Sequence, residues 1–101
     1  MNALGDSLID VLQQENLIRV FWKDALRKTF HPERDHSDWN SERTLLNVFG
    51  DKLKAYFTMR AREIEDKIAR EILLATFNEY DWNGLAREII IRYNLFEGVY
   101  K

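Results

Sequence analysis

The fold of this chain is set by residues 41–79, which read SERTLLNVFGDKLKAYFTMRAREIEDKIAREILLATFNE. Their apolar side chains recur every three or four residues, which is the period of a helix that buries one face. The apolar positions are Leu45, Phe49, Leu53, Tyr56 and Phe57 in the first part and Ala61, Ile64, Ile68, Ile72 and Ala75 in the second. The segment therefore predicts helix, starting at Asn40 or Ser41, both of which are good N-caps.

The length of this segment raises the question of whether it forms one helix or two. A continuous helix would be ~58 Å long at the rise of an α-helix, whereas a compact globule of this size has a diameter of about 33 Å. We predict a division at Gly50 and Asp51, because Gly ends helices and Asp caps the next one. In the alternative, a single long helix projects and is used in dimerisation. Residues 72–75 are apolar nearly all round and are predicted to be buried from several sides.

Outward from this segment, the same period predicts one helix on each side. The apolar positions are Leu4, Leu8, Val11, Ile18, Trp22 and Ala25 before it and Leu85, Ala86, Ile89, Ile90 and Tyr93 after it. The first helix is predicted to have Asp6 as its N-cap and to reach about Thr29, with Asn16 as a candidate break. The last helix is predicted to begin near Asp81. A strand over residues 88–93 is the competing interpretation, because consecutive isoleucines favour β-structure.

Composition also indicates an all-α protein. The chain has 101 residues with one Pro and four Gly, is 46% hydrophobic and 32% charged, and carries a formal net charge of −2. So few turn-forming residues are typical of helical proteins. No apolar run approaches the ~20 residues that a transmembrane helix needs. We therefore predict a compact single domain of about four helices over residues 1–101, located in the cytoplasm and away from membranes.

Two clusters of titratable residues are candidate metal sites. One predicted loop holds His31, Glu33, Asp35, His36 and Asp38, which are ligand types for divalent metals. Their spacing matches no recognised metal site, so a solvated loop is expected. Glu63, Asp66 and Glu71 lie at helical spacings without a nearby His. For these we predict ion pairs on a solvent face, Glu63 with Lys67 and Asp66 with Arg70.

Catalytic motifs are not found in the sequence. There is no Cys, the four Gly residues are isolated, and no Gly-x-Ser-x-Gly occurs. These features exclude thiol nucleophiles, a glycine-rich phosphate loop and the serine-hydrolase elbow. We predict no catalytic, cofactor-binding or metal-binding residues and no cofactor, so the protein is not expected to be an enzyme.

Two parts of the chain are candidates for contact with nucleic acid. A basic and aromatic set comprises Lys52, Lys54, Arg60, Arg62, Lys67 and Arg70 with Tyr56 and Phe57, although acidic neighbours dilute its charge. The second part is residues 88–101, EIIIRYNLFEGVYK. There a small polar residue, Asn94, and an apolar one, Leu95, stand where a helix-turn-helix motif turns.

Residues 88–101 are similar to the C-terminal motif of phage middle-operon transcription activators, the Mor-like family. In that motif Arg-Tyr, a small residue, an apolar residue and then Val-Tyr-Lys also occur. The similarity covers a short part of the chain and requires short gaps. It implies a DNA-binding regulator with a partial helix-turn-helix, in which Arg87, Arg92, Tyr100 and Lys101 would contact DNA.

Aromatic residues make up 13% of the chain, more than a small core usually hides completely. Trp and Tyr dominate the hot spots of protein interfaces. An aromatic-rich core is the first interpretation of these rings. An interaction surface is the functional one, with the candidate residues Trp22, Trp39, Trp82, Phe96 and Tyr100. The sequence thus predicts a non-catalytic helical protein-interaction module that also self-associates. Such a module is an adaptor, an inhibitor or a phage- or plasmid-type modulator of a host complex. A DNA-binding regulator is the alternative.

Overall fold

Five α-helices and one short 3₁₀ helix make up the part of the chain that the computed structural model describes, residues 3–29 and 41–98. The helices are α1 (Ala3–Gln14), α2 (Ile18–Thr29), α3 (Ser41–Arg62), α4 (Lys67–Glu79) and α5 (Trp82–Arg92), and the 3₁₀ helix is Leu95–Gly98. The all-α prediction is confirmed. None of the described helices combines the length and the hydropathy that crossing a membrane requires.

The first predicted helix is divided where the sequence suggested. Asn16 adopts a left-handed backbone with φ of 58°, a conformation that Asn tolerates better than most residues. The amide of Leu17 then donates to the carbonyl of Leu12 at 2.9 Å, which closes the turn. Asp6 is not the N-cap, which corrects that prediction. Helix α1 begins at Ala3, one turn before the predicted start, because Leu4 packs against the core as part of the helix.

Helix α3 is central, and α2, α4 and α5 pack against it. At 22 residues it is ~33 Å long, which matches the expected diameter of the globule. The buried apolar residues are Leu8, Ile9, Leu12, Ile18, Trp22, Ala25, Leu45, Phe49, Leu53, Phe57, Ala61, Phe77, Trp82, Leu85, Ala86, Ile89, Ile90 and Leu95. Residues 88–92 are helical, so the strand interpretation is wrong. Asp81 caps α5 as predicted, since its side chain accepts from the amide of Gly84 at 2.9 Å.

The division of residues 41–79 is confirmed, but its predicted position at Gly50 and Asp51 is wrong. Helix α3 continues through Gly50, because this residue lies where α3 passes closest to the start of α5. A Cβ atom at Gly50 would lie 3.3 Å from the carbonyl carbon and oxygen of Trp82 and closer still to Oδ1 of Asn83. Gly50 therefore allows α3 and α5 to pack closely, and it does not end α3.

The chain instead breaks between Arg62 and Lys67. The amides of Glu63 and Ile64 donate to the carbonyls three residues earlier, at 3.2 and 3.1 Å, which tightens the last turn of α3. Asp66 then caps α4 by accepting from the amide of Ala69 at 3.4 Å. A capping Asp thus determines where the next helix starts.

Replacing Gly50 with Ala tests the close approach of α3 and α5. In an open helix this change stabilises a protein by about 0.5–1 kcal/mol. Here the added methyl group meets the Trp82 backbone, so we expect the free energy of unfolding to fall by about 1–3 kcal/mol. Urea unfolding followed by circular dichroism measures this. The loss should persist in an Asn83→Ala background, where only the backbone contact remains, and a more stable Gly50→Ala protein would contradict the packing described.

Candidate functional site

Within residues 3–29 and 41–98, helix α4 packs against its neighbours along one side only. Phe77 is buried, and Leu73, Leu74 and Tyr80 are partly buried against the core. The indole Nε1 of Trp82 donates to the carbonyl of Phe77 at 2.7 Å, which fixes the end of α4 against the start of α5. These residues recur at helical spacing, so they define one face of α4 and leave the opposite face to solvent.

That opposite face carries a row of apolar side chains, which we call the isoleucine stripe: Ile68, Ile72 and Ala75. Ile68 is 71% exposed and Ile72 is 63% exposed, and Ala75 is also exposed. The spacings of four and three residues place the three side chains on successive turns of the same face. This corrects the prediction that residues 72–75 are buried from several sides. Only Leu73 and Leu74 of that run pack against the core.

Three carboxylates, the acidic border, lie on α4 or just before it. Glu65 precedes the helix, Glu71 lies three residues after Ile68, and Glu79 lies four residues after Ala75. All three side chains are exposed. Within residues 3–29 and 41–98, none of the three forms an ion pair. The border therefore places exposed, unpaired carboxylates near an apolar surface.

The predicted ion pairs at this end of α4 are not formed. Glu63 precedes α4, which begins at Lys67, and so lacks the i,i+4 geometry that the prediction assumed. Asp66 and Arg70 do stand four residues apart on the first turn, but their side chains have other partners. Asp66 serves as the cap, and Nη1 of Arg70 donates to the carbonyl of Ile64 at 3.1 Å. Arg70 is thus held at the junction of α3 and α4, and Lys67 is the other cation of α4.

Three of the five aromatic residues predicted to form an interaction surface pack in or against the core. Trp22 is 5% exposed and Trp82 is 6% exposed, and both pack edge-on against neighbouring rings, Trp22 against Phe49 and Trp82 against Phe77. Phe96 is partly buried and packs against Trp22, with 5.8 Å between ring centroids. These three rings belong to the core of the chain. The other two predicted interaction residues, Trp39 and Tyr100, lie outside the described residues.

Of the four residues predicted to contact DNA, two lie within the described part of the chain and two lie outside it. Arg87 is exposed on α5. Arg92 donates to Oδ1 of Asp6 at 3.3 Å and to Oε1 of Glu88 at 3.1 Å, and the bond to Asp6 raises its pKa above the ordinary value of Arg. Its charge is thus compensated within the protein. Tyr100 and Lys101 lie outside the described residues.

A turn does follow α5 where the helix-turn-helix was predicted. Asn94 has a left-handed backbone with φ of 55°, and the amide of Tyr93 donates to the carbonyl of Ile89 at 3.0 Å. The next element, Leu95–Gly98, is a 3₁₀ helix of four residues. Up to residue 98, where the described part ends, the turn is not followed by an α-helix of the length that reads a DNA groove.

Two cations of the predicted basic and aromatic set, Lys52 and Arg60, are paired with acids. Arg60 lies 3.3 Å from Oε1 of Glu15, and the hydroxyl of Tyr56 donates to Oε2 of the same Glu at 3.0 Å. Burial raises the pKa of Tyr56, and the bond to Glu15 raises it further. Lys52 lies 3.2 Å from Asp24. These pairs connect the first two helices to α3, so their main effect is structural.

An open groove of about 570 Å³ lies between α2 and α3. Its lining residues are Phe21, Lys28, Val48, Asp51, Lys52, Ala55, Tyr56 and Met59. Both signs of charge occur at its edge, and its rings and aliphatic groups are shared with the contact between the two helices. The groove therefore gives no clear preference for one class of ligand.

The candidate metal residues of the loop, His31, Glu33, Asp35, His36 and Asp38, lie outside the described residues. In the two described stretches, no three or more residues of the types His, Cys, Asp and Glu are grouped so that they could hold a metal ion.

Near α4, burial raises the pKa of Tyr80, and the charges of Asp81 and Asp6 raise it further.

No protein-family model, no curated protein and no solved structure matches this chain. The similarity to the Mor-like motif is thus local and is not accompanied by a match along the chain. What can be said about function rests on the geometry of the described residues.

The two faces of α4 should respond differently to truncation of their side chains. We expect Ile68→Ala and Ile72→Ala to change the free energy of unfolding by less than about 0.5 kcal/mol each, because both side chains are already in water. Phe77→Ala, on the packed face of the same helix, should lower it by about 3–5 kcal/mol. Chemical denaturation at low protein concentration measures all three. A loss for Ile72→Ala as large as that for Phe77→Ala would mean that Ile72 is packed in the free chain.

Proposed function

We propose that this chain is a non-catalytic helical protein-interaction module and that its docking surface is the isoleucine stripe of α4. The observation that carries the proposal is the exposure of Ile68 and Ile72 on consecutive turns, opposite the packed face of their helix. Isolated exposed apolar residues are common on protein surfaces, but adjacent ones on one helix face mark interaction sites. The adaptor, inhibitor and phage- or plasmid-type modulator roles are forms of this proposal.

The amount of apolar surface supports a functional role for the stripe. Burying one isoleucine side chain completely contributes about 1.5–3 kcal/mol. Two such side chains with Ala75 would supply the apolar centre of a small interface, and the polar residues around them would form its rim. The exposed part of these side chains does not stabilise the fold while it stays in water.

Self-association is proposed as a separate property of the chain, through a surface other than the stripe. A cytoplasmic location is likewise proposed, from the even mixture of charges in the chain.

The alternative function, DNA binding, is favoured by one observation, the turn at Asn94 directly after α5. It predicts duplex binding that falls steeply as salt is raised, because phosphate contacts release counterions. If no duplex DNA is bound at about 50 mM salt, this alternative fails.

The docking surface can be tested with matched charge insertions. We expect Ile68→Glu with Ile72→Glu to abolish binding to a partner that the unchanged protein captures from its native cells. Ile91→Glu with Val20→Glu, which alters two exposed apolar residues on other helices, should leave that binding intact. Binding is measured by calorimetry with the purified partner, and sedimentation tests self-association of each variant.

Loss of binding only in the stripe variant supports the proposal. Equal loss in both variants, or full binding in the stripe variant, overturns α4 as the docking surface. Circular dichroism confirms that both variants keep the helical fold, which is expected because all four positions are exposed.

A further inference from the structure

The spacing of the isoleucine stripe points to a helical occupant. Ile68, Ile72 and Ala75 follow one another at intervals of four and three residues. This alternation is the pattern by which one helix presents a seam to another helix lying along it. An amphipathic helix that docks in this way reads its partner through side chains on successive turns.

The acidic border indicates the charge of that occupant. Glu71 and Glu79 lie on α4 with the stripe, Glu65 precedes the helix, and none of the three forms an ion pair within the described residues. Lys67 and Arg70 are the only cations among residues 65–79, and Arg70 is bound to the carbonyl of Ile64. Residues beside an apolar seam choose the partner by charge. The border therefore favours cations on the occupant.

The same charges disfavour the two other occupants. A second copy docked along the stripe would bring one acidic border against the other, and like charges across an interface are unfavourable. Nucleic acid would place phosphates beside the same carboxylates. We propose that the isoleucine stripe binds an amphipathic helix of another protein whose apolar seam is flanked by Lys or Arg. This inference rests on the function proposed above.

Three synthetic helical peptides of roughly 18 residues test the charge of the occupant with the full chain. They share one leucine seam at spacings of three and four residues, and their flanking positions are all Lys, all Gln or all Glu. Binding is measured by calorimetry, and two-dimensional NMR shows which residues of the protein respond. We expect the Lys peptide to bind about tenfold more tightly than the Gln peptide at low salt and the Glu peptide to bind least. The difference should shrink as salt is raised.

Charge reversal on the protein supplies the matched control. Glu71→Lys with Glu79→Lys should invert the order of the three peptides. Asp10→Lys with Asp51→Lys changes the net charge equally at exposed positions outside α4, and it should preserve the order. An unchanged order in the first variant, or an inverted order in the second, overturns the inference, because the selectivity would then come from net charge or from another surface.

The remaining outcomes separate this inference from the proposed function. If all three peptides bind α4 with equal affinity, the basic partner is wrong and the docking surface stands. If no peptide perturbs the resonances of α4, both fail. If sedimentation shows a dimer of the unchanged protein that Ile72→Glu dissociates, a second copy is the occupant and the basic helix is overturned.

Discussion

The indole ring of Trp82 holds α3, α4 and α5 together at one point, and the orientation of α4 follows from it. Its Nε1 donates to the carbonyl of Phe77, and its ring is stacked on that of Phe57 with 5.8 Å between centroids. A buried N–H group without a partner is costly, so the last turn of α4 must stay where its carbonyl meets the indole. Everything that α4 presents to solvent depends on this contact.

Two local constraints set the path of the chain up to that point. Gly50 lets α3 and α5 approach until a Cβ atom would touch the Trp82 carbonyl, and Asp66 starts a new helix after α3 has spanned the globule. Since α4 begins only there, it packs on α3 along a single side. The face with Ile68 and Ile72 is left uncovered by the described residues for a topological reason, not because its sequence is polar.

The sequence could predict those features that depend on neighbouring residues. Asn16 was identifiable as a break because Asn tolerates a left-handed backbone, and Asp81 was identifiable as a cap. Gly50 was misinterpreted because a glycine that ends a helix and a glycine that admits another helix look alike locally. The difference lies in α5, more than 30 residues further along the chain.

The candidate site could not be predicted from the sequence, for a related reason. Apolar residues all round a helix show that every side favours burial, but not whether the chain has enough helices to cover every side. Ile72 was therefore expected in the core. The richness in aromatic residues was compatible with a core or with an interaction surface, and Trp22 and Trp82 are in the core. Which large side chain lies inside is a property of the whole packing.

The carboxylates near the isoleucine stripe also bear on how this protein behaves before anything is bound to it. Exposed isoleucines on consecutive turns promote aggregation in a crowded solution, because apolar patches of different molecules bind to one another without specificity. Charges placed beside such a patch act as gatekeepers against aggregation. Glu65, Glu71 and Glu79 would thus keep the free protein dispersed at concentrations where a neutral border would let it precipitate.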